Sequence, residues 1–504
     1  MALESPAVTT LTRLGATELI SITLDDGSFE SWDAPCVQPD LGEEYASQLV
    51  EARERSGVDE AIVTGTGLLD GRRVAVIVGE FRFLAGSIGV AAARRIVAAL
   101  ERATAEGLPV LAASVSGGTR MQEGTLAFLQ MASITQAVTA HKAAGLPYLV
   151  YLRHPTTGGV FASWGSLGHI TVAEPDALIG FLGPKVYEQL QGAPFPSGVQ
   201  TGENLFAHGI VDAVLSPRQL RSVASQVIGT AAARTALREP SPAEALQHPA
   251  VDAWESIGIS RRTGRPGVRS LLRYAADEVT WLSGTGQGEA GKASKIALAR
   301  FGGRGVVVVA LDRHAQLHDD ELGPSALRQA RRGMELAAGL RLPLVSVIDT
   351  PGAALSREAE EGGLGGEIAR SLADLLALPV PTVAVLMGEG TGGGALALVP
   401  TDRVVAAEHA WLAPLPPEGA SVIRYSDRSR AAEMARAQGV RSADLLGSGI
   451  VDEVVPECPT ADAEPAAFCA RLGAAIERQL AAIASAPAPE LLAARRDRYA
   501  RLGG

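Results

Sequence analysis

The sequence predicts an α/β fold written twice, as two tandem domains that each hold a mostly parallel sheet with helical crossovers. The first observation is internal repetition. Sliding the 504-residue chain against itself by 234 positions lays "LPVLAASVSGGTRMQEG" (108–124) on "LPLVSVIDTPGAALSRE" (342–358), with Gly118 over Gly352. The same offset lays "LPYLVYLRHPTTGGV" (146–160) on "VPTVAVLMGEGTGGG" (380–394), with Gly159 over Gly393. A constant register through two glycine loops marks a tandem duplication. The second observation is the recurring order of strand, glycine loop and helix, which requires crossovers and hence parallel pairing. The third is composition: 47% hydrophobic residues with only 4% aromatics, the small and branched aliphatics that suit α/β layers.

Each copy reads the same way along the chain. A Leu-Pro or Val-Pro step opens an aliphatic strand, a glycine-containing loop ends it, and a helix follows. A second strand leads to a second glycine pair and a helix of small residues, "VFASWGSLG" (160–168) or "GALALVP" (394–400). Next, "TVAEPDALIGF" (171–181) is set against "VVAAEHAWLAP" (404–414), pairing Glu174 with Glu408. "GIVDAV" (209–214) closes the first copy and "GIVDEV" (449–454) the second; their offset of 240 against 234 implies an insertion in the second copy. Pro240, Pro242 and Pro249 in "REPSPAEALQHPA" (238–250) mark a linker. The expected organisation is a domain over 1–236, a linker over 237–250 and a domain over 251–504.

Several classes are disfavoured. A net charge of −11 provides no electrostatic footprint for nucleic acid. Cys36, Cys458 and Cys469 form no C-x-x-C pair, so neither a metal site nor a disulfide framework is expected. The start "MALESPAVTTLTRLG" lacks the features of a secretory signal, and runs such as "GVVVVAL" (305–311) are strand-length, so no membrane span is expected and the cytoplasm is the expected location.

The glycine loops are where chemistry is expected. A glycine pair at a strand end, followed by a helix, lets backbone N–H groups converge on an oxygen while the helix N-terminus adds partial positive charge. Such donors form an oxyanion hole, in which losing one costs roughly 3–4 kcal/mol of transition-state stabilisation. The candidates are Gly117–Gly118 with Gly158–Gly159 in the first copy, and Gly352–Ala353 with Gly393–Gly394 in the second. Turn formation alone explains any single pair; a matched set in one register favours function.

These residues reach a family. The segments 79–134 ("GEFRFLAGSIGV…SVSGGTRMQEG…"), 146–190 and "FAHGIVDAV" (206–214) resemble the β subunit of bacterial acetyl-CoA carboxylase carboxyltransferase. "AWESIGISRRTGRPGV" (253–268), "IDTPGAALSREAEEGG" (348–363), "VLMGEGTGGGALAL" (385–398) and "PPEGAS" (416–421) resemble its α subunit. The arrangement is similar to fused β–α acyl-CoA carboxyltransferase subunits. The resemblance implies two crotonase (ClpP-like) folds and carboxyl transfer from carboxybiotin to an acyl-CoA such as acetyl-CoA, forming malonyl-CoA. It implies two oxyanions, a biotin ureido oxygen and a thioester enolate, with biotin's own nitrogen taking the α-proton. The first domain is expected to serve the acyl-CoA and the second the biotin, with Gly393, Gly394 and Ala395 on the biotin side. The expected partners are a biotin carboxyl carrier protein with its biotin carboxylase, and further copies of the chain in a dimer or hexamer. A reverse-running decarboxylase, a crotonase-type hydratase or hydrolase, and a non-catalytic assembly scaffold are the alternatives.

The chain departs from the pattern in places. The four-cysteine zinc ribbon of the β family is missing, so zinc is not expected. Ala354, Leu355 and Ser356 replace the Tyr-Pro-Gly common in the α family, which bears on acyl specificity. His154 reads as a hydrogen-bonded loop histidine rather than a base, and Asp349 as a loop-capping carboxylate. Glu174 and Glu408 read as structural rather than as an acid/base pair. Arg261, Arg262 and Arg265 offer a contact for CoA phosphates or form a solvated basic turn. "GGLGGE" (362–367) lacks the Lys-Ser/Thr of a phosphate loop. No Met-Lys dipeptide exists, so biotin must arrive on another polypeptide. Intact-mass and peptide mass spectrometry of the protein, expressed with a biotin ligase, should accordingly find no biotin on Lys142, Lys185, Lys292 or Lys295.

Overall fold

The structure, a computed structural model, describes residues 13–236, 238–245, 251–318 and 320–502. It divides into two compact units, Met1–Leu205 with Ala213–Ser225, and Phe206–Asp212 with Gln226–Gly504. One boundary between these units falls within the helix Pro217–Ala232. The linker expected over 237–250 lies partly outside the described residues.

Each unit is built on one eight-stranded sheet. The first holds β1 (Glu30–Ser31), β2 (Ile62–Leu69), β3 (Arg72–Gly79), β4 (Val110–Ser116), β5 (Tyr148–Thr157), β6 (Ile170–Ala173), β7 (Ile179–Gly180) and β8 (Ala213–Val214). Its order is β1-β2-β3-β4-β5-β6-β8, with β7 on the end of β5. The second holds β9 (Glu278–Leu282), β10 (Ser294–Phe301), β11 (Arg304–Leu311), β12 (Leu344–Thr350), β13 (Thr382–Thr391), β14 (Arg403–Ala407), β15 (Trp411–Ala413) and β16 (Glu453–Val455). Its order is β9-β10-β11-β12-β13-β14-β16, with β15 on the end of β13. The two sheets therefore match strand for strand. GIVDAV and GIVDEV deliver the matching last strands, β8 beside β6 and β16 beside β14.

From β3 and from β11 onward the pairing is parallel, as expected, but each sheet begins with an antiparallel edge. The edge hairpins follow from their turns. Asp70–Gly71 joins β2 to β3 and Gly302–Gly303 joins β10 to β11, all four residues at positive φ. That is the two-residue turn whose twist matches paired strands, and Asp and Gly are the residues that tolerate it. The central strands carry aliphatic residues on both faces because helices cover both; every residue of β4, β12 and β13 is buried.

The repeat register is written into the ladders. Val110 pairs with Tyr148, and Leu344 with Thr382, each displaced by 234. Past β5 the displacement becomes 233: Leu149 pairs with Ile170, but Val383 pairs with Arg403. The expected match of Glu174 with Glu408 is thus one residue out, and the position equivalent to Glu174 is Ala407.

The loop after β4 is pinned from below by charge. Arg120 and Glu60 are fully buried and paired, with Arg120 Nη1 3.0 Å from Glu60 Oε2. Arg120 Nη2 also donates to the Ser87 carbonyl at 2.8 Å, and Glu123 receives the Val90 N–H at 2.6 Å. Removing one partner of such a pair strands the other charge in the core. Arg120→Ala should therefore lower the stability of the first unit by about 3–5 kcal/mol in a denaturant titration.

Candidate active site

In each unit two loops meet at the C-terminal end of the central strand pair. Ser116 and Thr350, equivalent residues, end β4 and β12, and each hydroxyl accepts the N–H of the glycine two residues on: Gly118 at 3.0 Å, Gly352 at 3.1 Å. These turns put Gly118 at φ 117° and Gly352 at φ 132°, a region open in practice only to glycine. The second loop of each unit starts a short helix, Gly158–Phe161 or Gly392–Leu396, with Thr157 or Thr391 at the N-cap position. A Cβ on Gly158 would lie 3.4 Å from the Gly118 Cα, and one on Gly394 would lie 3.7 Å from the Ala353 N. The loops expected to converge do so within each unit.

The donors are not all those expected. The Gly117 N–H goes to the Ala85 carbonyl (2.9 Å) and the Gly158 N–H to the Phe181 carbonyl (3.1 Å). With Gly118 and Gly352 bonded to hydroxyls, these four glycines shape the turns but have no N–H to offer a ligand. The groups that remain lie one step along. Thr119 and Ala353 are equivalent, and among the described residues neither N–H has an assigned acceptor. Gly159, Gly393 and Gly394 stand in the first turns of their helices, where N–H groups have no acceptor within the helix, and none is assigned outside it. Each unit thus presents one loop N–H, from Thr119 or Ala353, beside a helix N-terminus. Ala395 lies deeper, in the same short helix and fully buried.

Two residues escaped the sequence reading. Thr119 lies at the position matching Ala353, and Gly392 at the position matching Gly158, with φ of 67° and 61°. Strict use of the 234 offset finds both. The run Gly392–Gly393–Gly394 drew attention to its last two members instead.

Between each strand pair, just before the loops, the ladder slips. Ser114 faces Leu152 and Ser116 faces Thr156; Ile348 faces Leu386 and Thr350 faces Gly390. The longer strand carries a bulge in both units, which aims its end toward the neighbouring loop. In the first unit the bulge is Arg153–His154–Pro155. The His154 N–H donates to Glu174 (2.9 Å), and its Nδ1 accepts the Leu178 N–H (2.9 Å), as a loop histidine does. Burial raises the Glu174 carboxyl above its ordinary value, against the pull of Arg153 and Arg13. Glu408 receives the Glu457 N–H at 2.8 Å, so both glutamates brace backbone.

In the second unit the bulge is Met387–Gly388–Glu389, bedded in buried charge. The Met387 carbonyl accepts from Arg265 at 2.9 and 3.2 Å, and Arg265 is held by Glu457 at 2.6 and 2.8 Å. Arg261 pairs with Glu389 (3.5 Å) and Glu418 (2.5 Å), and Arg262 faces Asp462 at 3.4 Å. The arginines considered for CoA phosphates are therefore committed to ion pairs, Arg265 deep in the core. Asp349, buried beneath the loop, is pushed up to about 6 by burial, against Arg313 and Arg265. Among the described residues no group of three His, Cys, Asp or Glu side chains is placed to hold a metal ion, and no helix is long and apolar enough to cross a membrane.

Comparison with known proteins agrees with this architecture. Residues 11–493 match the carboxyl transferase domain. The chain is 57% identical over 497 residues to the "probable biotin-dependent acyl-coenzyme A carboxylase beta3 subunit" of Mycobacterium tuberculosis, covering 98% of this chain and 99% of that one. It is 38% identical over 515 residues to the acetyl-coenzyme A carboxylase carboxyl transferase subunits beta/alpha of Salinispora arenicola, covering 97% and 91%. Transcarboxylase 12S shares the fold, with a TM-score of 0.75 at 21% identity over 94% of this chain and 90% of the other. With doubled sheets, paired glycine loops and a match along nearly its whole length, the chain belongs to the carboxyl transferase domain family.

Proposed function

We propose that the protein is the carboxyltransferase component of a biotin-dependent acyl-CoA carboxylase, forming malonyl-CoA from acetyl-CoA. One observation carries this reading: each unit holds, at equivalent positions, a loop N–H beside the open first turn of a helix. That arrangement fits an oxygen that gains negative charge, and the reaction develops two of them. Residues 1–236 are read as the acyl-CoA half and 251–504 as the biotin half.

In the first half, Thr119 and Gly159 donate to the thioester oxygen as the α-carbon loses its proton. In the second half, Ala353 with Gly393 and Gly394 donates to the ureido oxygen. Biotin, carried on a partner protein, supplies the carboxyl group and a ring nitrogen able to take the α-proton. The residues of this chain hold both oxygens by fixed dipoles, which need no reorganisation as charge moves.

The same loops support an oligomer. Met121 and Leu355 are equivalent residues just past the donor positions, and they are 83% and 100% exposed. Leu126, Phe128 and Leu129 on the helix Gly124–Ala143, and Leu396 and Ile423 in the second unit, also stand in solvent. Apolar side chains gathered beside a site are the mark of a surface that another molecule covers. The occupant in this reading is a second copy, with the first half of one chain facing the second half of its neighbour.

Two outcomes are expected. A Cβ at Gly159 would stand 3.0 Å from Thr119 Oγ1, and one at Gly394 would stand 2.4 Å from Leu322, whose carbonyl anchors Ala354. Gly159→Val and Gly394→Val should each slow carboxyl transfer about a hundredfold or more, assayed with biotinylated carrier, its carboxylase, ATP, bicarbonate and acetyl-CoA. Gly159→Val should also weaken acetyl-CoA binding by calorimetry, whereas Gly394→Val should not. Normal turnover in both folded variants overturns the reading.

Sedimentation velocity should find a dimer or a larger assembly, and Met121→Glu with Leu355→Glu should shift it toward monomer with loss of transfer. A fully active monomer would refute the assembly.

A further inference from the structure

The two bulges are equivalent in backbone but opposite in chemistry. At the slip the shorter strand contributes one residue, Val115 in the first unit and Asp349 in the second, and the last bulge residue of the longer strand is Pro155 in the first and Glu389 in the second. A bulge leaves backbone groups off the ladder, and a buried N–H needs an acceptor. Proline has no N–H, so position 155 of the first bulge calls for no acceptor. Glu389 does have one, and it donates to Asp349 Oδ1 at 3.0 Å. The Asp349 carboxyl lies so close to the bulge that a Cβ on Gly388 would stand 2.5 Å from the same oxygen. Below, the Glu389 side chain meets Arg313 (3.4 Å) and Arg261 (3.5 Å), both tied to other groups. Asp349 immediately precedes Thr350, which turns the chain into Gly352–Ala353; Glu389 lies two residues before Thr391, the N-cap position of the helix bearing Gly393 and Gly394. One carboxyl oxygen therefore ties together the roots of both donor loops.

We propose that Asp349 is a positioning residue for carboxyl transfer: its Oδ1 holds the bulged backbone at Glu389 and so fixes the Gly393–Gly394 donors against Ala353. This rests on reading those N–H groups as the donors of the second half. The part played is that of a hydrogen-bond acceptor, which an amide oxygen can also fill. Valine, the residue the first unit uses, cannot fill it while position 389 keeps its N–H.

The test compares Asp349→Val, Asp349→Asn and Gly388→Ala in the complete system of carrier, carboxylase, ATP, bicarbonate and acetyl-CoA, with folding followed by circular dichroism. Displacing reacting groups by about an ångström costs on the order of a hundredfold in rate, so Asp349→Val should lose about that much kcat. Its KM for acetyl-CoA should stay within about threefold of normal, a split that general loss of structure would not produce. Asp349→Asn should retain most of the rate. Gly388→Ala keeps the carboxyl but crowds it off the bulge, and should fall with the valine variant; it decides the matter if Asp349→Val does not fold. Normal kcat in Gly388→Ala, or an asparagine variant as slow as valine, would overturn the proposal. Gly394→Val run alongside separates the two readings. If it is inactive while Gly388→Ala is normal, only the positioning role fails; if both are normal, the donor assignment fails with it.

Discussion

Two neighbouring parallel strands can bring their following loops to one point only if they stay paired up to the loops and then part at a fixed place. In both units the ladder shifts register between Ser114 and Ser116, or between Ile348 and Thr350, and the strands part just after it resumes at Ser116–Thr156 or Thr350–Gly390. Much of the local architecture follows from it. The longer strand arches and a glycine opens the next helix at positive φ, while the shorter strand turns back on its own terminal hydroxyl. The backbone groups released by the slip must then be satisfied. Arg153 keeps its carbonyl bonded through Thr156 Oγ1 at 2.8 Å, and Met387 relies on buried Arg265. The core beneath each site is polar because the strand above it is irregular.

This explains the contrast in charge beneath the two sites. The first unit places its buried ion pair, Arg120–Glu60, under the shorter strand's loop. The second has Ala354 at the position of Arg120 and places its ion pairs under the longer strand's bulge, through Arg261, Arg265 and Arg313. A buried pair adds little net stability but is costly to break. Each site is thus held rigid from a different side.

The class of fold, the duplication and the loops were legible in the sequence because backbone geometry dictates residue type there: glycine where φ is positive, aliphatics where a strand is covered on both faces. The antiparallel edges were not recognised, although Asp70–Gly71 and Gly302–Gly303 are the turn residues that announce them. Which N–H groups are free could not be read. That depends on partners such as Ala85 and Phe181, which are distant in sequence or lie on another loop. The arginines at 261, 262 and 265 misled for a related reason. A cluster of cations suggests an anion, and the carboxylates that neutralise it come from positions 389, 418, 457 and 462. The slip from 234 to 233 after β5 moved one glutamate by a single place, enough to create a false pair.

The residues at the two slips, Val115 with Pro155 and Asp349 with Glu389, also bear on how one ancestral half became two. Neither pair can be reached from the other by one acceptable change. Aspartate combined with proline at these positions buries a carboxylate without its donor; valine combined with glutamate buries an N–H without its acceptor. The stranded N–H costs about 1–3 kcal/mol and the stranded carboxylate more, a sizeable part of the margin by which a domain stays folded. The two positions are therefore epistatic, and their divergence required either a surplus of stability or two substitutions in quick succession. Once past that barrier, the halves could not readily exchange these residues again, which favours keeping the two slips chemically distinct.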